Sequence, residues 1–165
     1  MATTIMELFE TAIAAERAAE RLYHRLAAKF SHRPDIAEFW EAYARAEVRH
    51  VRTLRSLRDQ LSTEALSQPC DARMMNAARH ALQKGEEKVA TRVTDLEVAY
   101  ELASELENGE TNAVFEFVIA NFAQDEKAQR FLRSQLNDHI SKLMLEFPER
   151  FGAAGIRKEI KAFDL

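Results

Sequence analysis

Residues 38–54, EFWEAYARAEVRHVRTL, are a stretch in which large apolar side chains recur every three or four residues. This spacing predicts an amphipathic helix, because 3.6 residues complete one helical turn. The predicted helix covers residues 34–61 and starts near Pro34, whose missing N–H is harmless in a first turn. Its apolar stripe also contains two ionisable side chains, Glu47 and His50. The stretch therefore predicts a helix with a polar pair on its inward face.

Composition and chain breakers extend the helical prediction over the rest of the chain. The 165 residues include only 4 Gly and 3 Pro, too few for the many turns of a sheet-rich fold. Helices are predicted at residues 4–30, 34–61, 71–84, 86–107 and 112–147, with a further short helix within residues 152–165. The first, second, fourth and fifth of these are long, and the helix at 71–84 lies in a long crossover. We therefore predict one domain over residues 1–165, an all-α four-helix bundle of two antiparallel hairpins, which is the ferritin-like topology.

Charge, cysteine content and hydropathy exclude several classes of function. The chain has 23 Lys and Arg against 27 Asp and Glu, a net charge of −4, which argues against a dedicated nucleic-acid binder. The single cysteine, Cys70, excludes an internal disulfide and a metal site built from cysteines. No stretch reaches the roughly 20 apolar residues of a membrane span, and the first residues do not resemble a signal peptide. We expect a cytoplasmic protein without a membrane partner.

Each long helix places a carboxylate on or beside the face that should be buried. These carboxylates are Glu16, Glu47, Glu97 and Glu126, and His50 accompanies the second of them. The midpoint of the first two, 31.5, lies inside the turn at 31–34, and the midpoint of the last two, 111.5, lies just after the turn at 108–109. Residues equally far from a turn lie at one height in an antiparallel hairpin, since both helices rise equally per residue. Glu101 is the alternative to Glu97 at a slightly different height.

Buried carboxylates at one height predict a centre with two metal ions. Burying four carboxylates without compensation is costly, whereas two divalent cations neutralise all four. Oxygen-rich coordination with an imidazole suits iron best, with manganese or zinc as alternatives. Di-iron bundles take one Glu from each of two helices and a Glu-x-x-His from each of the others. Here Glu16 and Glu97 are the predicted single ligands, and the predicted pairs are Glu47-x-x-His50 and Glu126-x-x-Gln129.

Gln129 departs from this pattern, because it occupies the position of the second histidine. An amide oxygen is a neutral and weaker ligand, so the second metal position is predicted to be weak, empty or unable to support redox chemistry. A buried polar network without metal is the alternative interpretation of the same residues. The remaining histidines, His24, His32, His80 and His139, show no ligand spacing and are interpreted as surface or core residues.

The chain resembles the rubrerythrin-like, ferritin-like di-iron proteins in four stretches. These are AAERAAERLYHRLA at 14–27, residues 38–54, DLEVAYELASE at 95–105 and AQDEKAQRFLRSQL at 123–136. The resemblance implies a bundle that dimerises and holds two irons between Glu16, Glu47, His50, Glu97 and Glu126. It also implies an oxidoreductase that reduces peroxide or dioxygen or oxidises Fe(II), with electrons from a separate protein because no rubredoxin cysteines are present. The alternatives are a non-catalytic metal-binding protein and a metal-free helical assembly module.

Overall fold

The computed structural model describes residues 3–84 and 91–152. Apart from an isolated β-bridge between Thr4 and Pro69, the regular structure in these residues is helical, which confirms the all-α prediction for them. The helices are α1 (Ile5–Lys29), α2 (Pro34–Asp59), α3 (Thr63–Leu66), α4 (Ala72–Lys84), α5 (Leu96–Glu107), α6 (Glu110–Phe122), α7 (Glu126–Ser141) and α8 (Phe147–Phe151), and a π-helical turn (Lys142–Glu146) joins α7 to α8. Among these described helices, none combines the length and the apolar character that a membrane span requires.

Helices α1 and α2 form a long hairpin whose ends are set by local sequence. The Thr4 hydroxyl accepts a hydrogen bond from the Glu7 backbone N–H, and the Glu7 carboxylate accepts one from the Thr4 backbone N–H. This reciprocal capping box satisfies two donors that the first turn otherwise leaves unpaired. Pro34 lies in the first turn of α2. Both helices lie within two residues of their predicted bounds, and the capping box, the turn before Pro34 and Pro34 itself mark three of the four ends.

The long connection after α2 contains two helices. The single turn of α3 is capped by Ser62, whose hydroxyl accepts a hydrogen bond from the Ala65 N–H. Helix α4 follows and packs against both α1 and α6. The segment predicted as a crossover helix therefore forms part of the wall of the bundle.

The C-terminal helices differ from the predicted ones. Helix α5 begins only at Leu96, because the Asp95 side chain caps it by accepting a hydrogen bond from the Val98 N–H. The predicted helix over 112–147 is interrupted at residues 123–125, where Asp125 caps α7 in the same way. An aspartate cap starts a helix rather than continuing one, since its own backbone is extended. Residues 85–90 and 153–165, which include the predicted C-terminal helix, lie outside the described residues.

The core is divided into two apolar clusters along the α1–α2 hairpin. The aromatic cluster includes Tyr23, Trp40, Tyr43, Tyr100 and Phe147. The aliphatic cluster includes Leu8, Ile13, Leu54, Val118 and Ile119. Between the two clusters the inward positions of α1 and α2 are occupied by Glu16 and Glu47. The packing of the hairpin therefore creates a polar layer across the middle of the bundle.

Candidate metal centre

Five ionisable side chains form the polar layer between the two clusters. Glu16 and Glu47 are each 2% exposed, Glu107 is 4% exposed and His139 is 6% exposed. His50 is the fifth, with 12% of its side chain exposed. They come from α1, α2, α5 and α7. So many buried ionisable groups are costly unless they pair closely or bind cations.

The first part of this layer, the His50 side, consists of Glu16, His50 and one oxygen of Glu47. Glu47 and His50 are three residues apart in α2 and therefore share one face of that helix. His50 Nδ1 lies 2.8 Å from Glu47 Oε2 and 3.2 Å from Glu16 Oε2. The ring packs against Phe115, with 5.1 Å between ring centroids. One imidazole nitrogen is thus flanked by two carboxylates, with an apolar ring beside it.

The second part, the His139 side, consists of Glu107, His139 and the other oxygen of Glu47. His139 Nε2 lies 3.0 Å from Glu47 Oε1 and 3.2 Å from Glu107 Oε2. The rings of His50 and His139 are nearly perpendicular, with centroids 4.9 Å apart. Glu47 therefore lies between two imidazoles and directs one oxygen to each.

Two buried atoms of the layer that could bind a metal ion lack hydrogen-bond partners. Within the part of the chain that the structure describes, Glu47 Oε1 and His139 Nε2 are buried and accept or donate no hydrogen bond. They are close to each other but not aligned as donor and acceptor. One ligand atom each from Glu47, His50 and His139 also lie within 4.8 Å of one another. A set of imidazole nitrogens and carboxylate oxygens suits iron, manganese or zinc, so the residues present fit a metal centre.

Two buried tyrosines hold the His139 side in place. The Tyr23 hydroxyl donates a hydrogen bond to Glu107 Oε1, and the Tyr43 hydroxyl donates one to the backbone oxygen of His139. Burial, with the nearby charges of Glu107 and Glu47, raises the pKa of both phenols far above the ordinary value. Both tyrosines therefore remain protonated donors. Hydrogen bonds of this kind orient metal ligands in known sites.

Comparison with known proteins identifies the family. The sequence model of the rubrerythrin family matches residues 7–138. The chain belongs to the rubrerythrin family. Comparison with curated proteins and with solved structures gave no match. Rubrerythrin-family proteins are ferritin-like helical bundles, so the predicted fold class is confirmed. The matched region contains Glu16, Glu47, His50 and Glu107, and it ends one residue before His139.

In this rubrerythrin-family chain the polar layer binds protons strongly. Burial, followed by the charge of Glu47, raises the pKa of Glu16 to about 8. Burial disfavours the charged form of His139, but Glu107 and Glu47 outweigh it and raise the pKa of His139 to about 10. Burial also disfavours the charged form of His50, but the carboxylates of Glu47 and Glu16 outweigh burial and raise the pKa of His50 well above its ordinary value. In the metal-free chain at neutral pH, Glu16 is therefore protonated and both imidazoles carry their second proton. Metal ions that bind these groups must displace these three protons.

The pKa of Glu47 moves in the opposite direction. Burial raises it, but the charges of His50 and His139 outweigh burial and hold it well below the ordinary range. Glu47 is therefore an anion between two imidazolium cations when only protons occupy the layer. A carboxylate that is already ionised is ready to bind a metal without first losing a proton.

The predicted ligands from the first two helices come together, and those from the later helices do not. Glu16, Glu47 and His50 form the His50 side; their role as ligands remains a prediction. Glu97, Glu101 and Glu126 are exposed, so the expectation that they face the core is wrong. Because Asp95 and Asp125 start new helices, Glu97 lies in the first turn of α5 and Glu126 in the first turn of α7.

Gln129 likewise lies outside the polar layer. Its Nε2 lies 3.4 Å from the Ala120 backbone oxygen, to which it donates, and its Oε1 accepts from Arg133 Nη1 at the same distance. The expected weakness of a second metal position through Gln129 therefore has no basis in the fold. The imidazole that lies beside Glu107 in the polar layer is His139.

Glu107 and His139 are the two members of the layer that the sequence prediction missed. Both carry a signal in the sequence, since Glu107 follows Tyr100 and Ala103 at helical spacing and His139 lies three residues after Leu136. They were missed because the heights of side chains along the bundle were predicted for uninterrupted helices on both sides of the turn at 108–109. The interpretation of His139 as an ordinary surface or core histidine is replaced by its place between Glu47 and Glu107.

Proposed function

We propose that the chain is a di-iron carboxylate protein and an oxidoreductase that reduces peroxide or dioxygen or oxidises Fe(II). The observation that carries the proposal is Glu47, a buried carboxylate with one oxygen facing each of two imidazoles. Glu16 and His50 would hold one metal, Glu107 and His139 the other, and Glu47 would bridge them. Membership of the rubrerythrin family supports iron as the metal.

Charge balance supports two metal ions at this layer. Three carboxylates carry up to three negative charges, and each imidazole coordinates metals in its neutral form. Two divalent cations compensate the carboxylates and leave one positive charge, which an exogenous anion can neutralise. Iron, when bound, supplies the electron transfer. The chain's own residues orient the ligands through Tyr23 and Tyr43 and exclude water through the apolar clusters on both sides.

In this proposal the electrons for turnover come from a separate electron donor. The single Cys70 cannot form the four-cysteine iron site of a rubredoxin, and it lies in the connection before α4, hydrogen-bonded to Thr3. The separate electron donor, the homodimer and the absence of a nucleic-acid partner all remain predictions.

Iron loading tests the metal part of the proposal. Protein purified without chelators and loaded anaerobically with Fe(II) is expected to retain two irons per chain after desalting. The matched control is Glu97→Gln, which removes an exposed carboxylate of the same type and is expected to retain the same content. Retention of less than about one tenth of a metal per chain would show that the layer is a proton-bound polar network without metal.

Turnover tests the oxidoreductase part separately. The Fe(II)-loaded protein is mixed with excess hydrogen peroxide and a chemical reductant such as ascorbate, and peroxide consumption is followed. Consumption well beyond one peroxide per centre supports an enzyme. Consumption that stops after one oxidation of the bound iron supports the alternative, a metal-binding protein without turnover.

A further inference from the structure

A cleft of about 410 Å³ lies between α2 and the α7–α8 segment and reaches the polar layer from outside. Its inner end is formed by His50 and His139, and Tyr43 lies beside them. The other side chains of the polar layer, Glu16, Glu47 and Glu107, do not line it. The cleft therefore approaches the layer from the imidazole side only.

The size of the cleft exceeds what peroxide or dioxygen needs. Such molecules are similar in size to a water molecule, which takes up about 30 Å³ in the liquid. Pockets for organic ligands have volumes of about 300–1,000 Å³. The cleft falls in that range, so it has room for an organic molecule.

The α2 wall of the cleft offers an apolar surface. Phe39 and Tyr43 lie one turn apart, and Ala42 and Ala46 leave space beside them. The Phe39 ring is held by Phe147 and Phe151, with centroid distances of 4.9 and 5.7 Å. Because Phe39 and Tyr43 are only 6% and 2% exposed, they contribute ring edges to the cleft, and an apolar group would rest on these edges and on the exposed Ala42.

The rim of the cleft carries cations without ion-pair partners. Arg45 and Arg49 are exposed and lie one turn apart on α2, and Lys142 lies opposite them at the start of the π-helical turn. In the described part of the chain none of the three has a carboxylate oxygen within 4 Å, whereas Arg150 pairs with Glu146 at 3.6 Å. A guanidinium binds a carboxylate through two parallel hydrogen bonds.

The lining also contains acidic side chains, which limits the charge of a suitable ligand. Glu38 lies at the outer end near Glu146, and Asp138 lies on α7 opposite the arginines. Three unpaired cations therefore face two unpaired acids. A ligand with a single negative charge fits this balance better than a polyanion.

We propose that the cleft between α2 and α7 binds a small organic monocarboxylate, with its apolar body on Ala42 and the ring edges of Phe39 and Tyr43 and its carboxylate on Arg45, Arg49 and Lys142. The binding site itself requires no metal. A role of the bound monocarboxylate as a substrate or as a ligand of the metal centre rests on the proposed function.

Binding of aromatic probes tests the cleft. The probes are 2-naphthoate and its neutral analogue 2-naphthamide, titrated into the metal-free 165-residue protein and followed by calorimetry. Naphthoate is expected to bind at least about tenfold more tightly than the amide, because only the anion matches the unpaired cations. Equal affinity of the two probes, or no binding of naphthoate at millimolar concentration, would overturn the proposal.

Matched variants locate the binding. The double variant Arg45→Gln/Arg49→Gln is expected to weaken naphthoate at least about tenfold, and Arg52→Gln/Arg55→Gln, on exposed α2 positions outside the cleft, to leave it unchanged. Ala42→Trp is expected to abolish binding by filling the cleft. Naphthoate binding that survives Ala42→Trp would place the ligand elsewhere and refute the assignment.

The metal-loaded protein separates this proposal from the proposed function. In Co(II)-loaded protein, naphthoate is expected to change the visible cobalt absorption, because the cleft ends at His50 and His139. Naphthoate binding with no retained metal would refute the metal centre and leave the cleft site intact. Retention of two metals without naphthoate binding would refute the cleft site and leave the metal centre intact.

Discussion

The two sides of the polar layer use the same ligand types but are built in different ways. The His50 side comes from the middle of α1 and α2, the two longest helices. The His139 side comes from helix ends, since Glu107 is the last residue of α5 and His139 lies in the last turn of α7. Glu47 alone belongs to both sides.

This difference determines what holds each side chain in place. In the middle of a long packed helix, backbone geometry fixes where a side chain points. Near a helix end, other contacts must do so, because terminal turns fray and lack partners. On the His139 side those contacts are the hydrogen bonds from Tyr23 and Tyr43. We expect the His50 side to be robust and the His139 side to depend on its supporting residues.

Removing the shared carboxylate should have the largest effect. Glu47→Gln replaces the anion between two imidazoles with a neutral amide, so both metal positions lose a ligand. We expect the iron content to fall from two per chain to almost none, measured by elemental analysis after anaerobic loading. If the variant keeps one full equivalent, the two sides do not share Glu47.

Removing one imidazole should empty one side only. His50→Gln and His139→Gln are each expected to retain about one metal per chain, because Glu47 and the ligands of the other side remain. Elemental analysis together with circular dichroism checks content and folding in the same samples. Loss of both metals in either variant, with the helical signal intact, would mean that the sides bind cooperatively.

The pH dependence of the metal-free protein probes the charges of both sides together. The pKa values of Glu16 and His139 are raised to about 8 and about 10, above the ordinary values of 4.5 and 6.5. A raised pKa contributes stability that is complete below the ordinary value and is lost as the pH rises through the folded value. The free energy of unfolding should therefore fall by several kcal/mol between pH 6.5 and pH 10.

Chemical denaturation across this pH range measures the effect. Glu47, with its lowered pKa, contributes stability that is present above pH 4.5 and is constant across the same range. The metal-loaded protein serves as the control, because metals rather than protons then occupy the ligands and the dependence should be weaker. A metal-free protein that becomes more stable towards pH 10 would contradict the assigned protonation.

Removing a supporting hydroxyl should weaken only the His139 side. Tyr23→Phe leaves Oε1 of the buried Glu107 carboxylate without its hydrogen-bond donor, which costs about 1–3 kcal/mol in unfolding free energy. Loss of such a support typically lowers metal affinity by about 10- to 100-fold, so one of the two metals should be removed by a weak chelator. Equal loss from both sides would contradict the difference drawn between them.

Substituting Gln129 should have the smallest effect. Gln129 contacts Ala120 and Arg133 rather than the polar layer, so Gln129→His is expected to leave the iron content at two per chain. The spectroscopic signature of the loaded iron should also be unchanged. A third equivalent or a changed spectrum would show that residues 126–129 bind metal, as their sequence pattern first indicated.

The α1–α2 hairpin was predictable because its information is local. Apolar spacing gave the helices, the Thr4–Glu7 box and Pro34 gave their ends, and the same projection placed Glu16, Glu47 and His50 inward. Each step depends on residues within a few turns of one another. In α5 and α7 the spacing also marks Glu107 and His139. However, the Asp95 cap starts α5 later than predicted and the Asp125 cap divides the predicted helix over 112–147, which changes the residues that share a height.

The sequence by itself determined an all-α fold, a carboxylate-rich polar layer and three of its five members, because helical periodicity and capping are written in neighbouring residues. Only the tertiary structure decided that Glu107 and His139 complete the layer. Two short helices that begin after Asp95 and Asp125 can approach α1 and α2 in many registers. Packing against the aromatic cluster and the hydroxyls of Tyr23 and Tyr43 selects the register that brings these two side chains to Glu47.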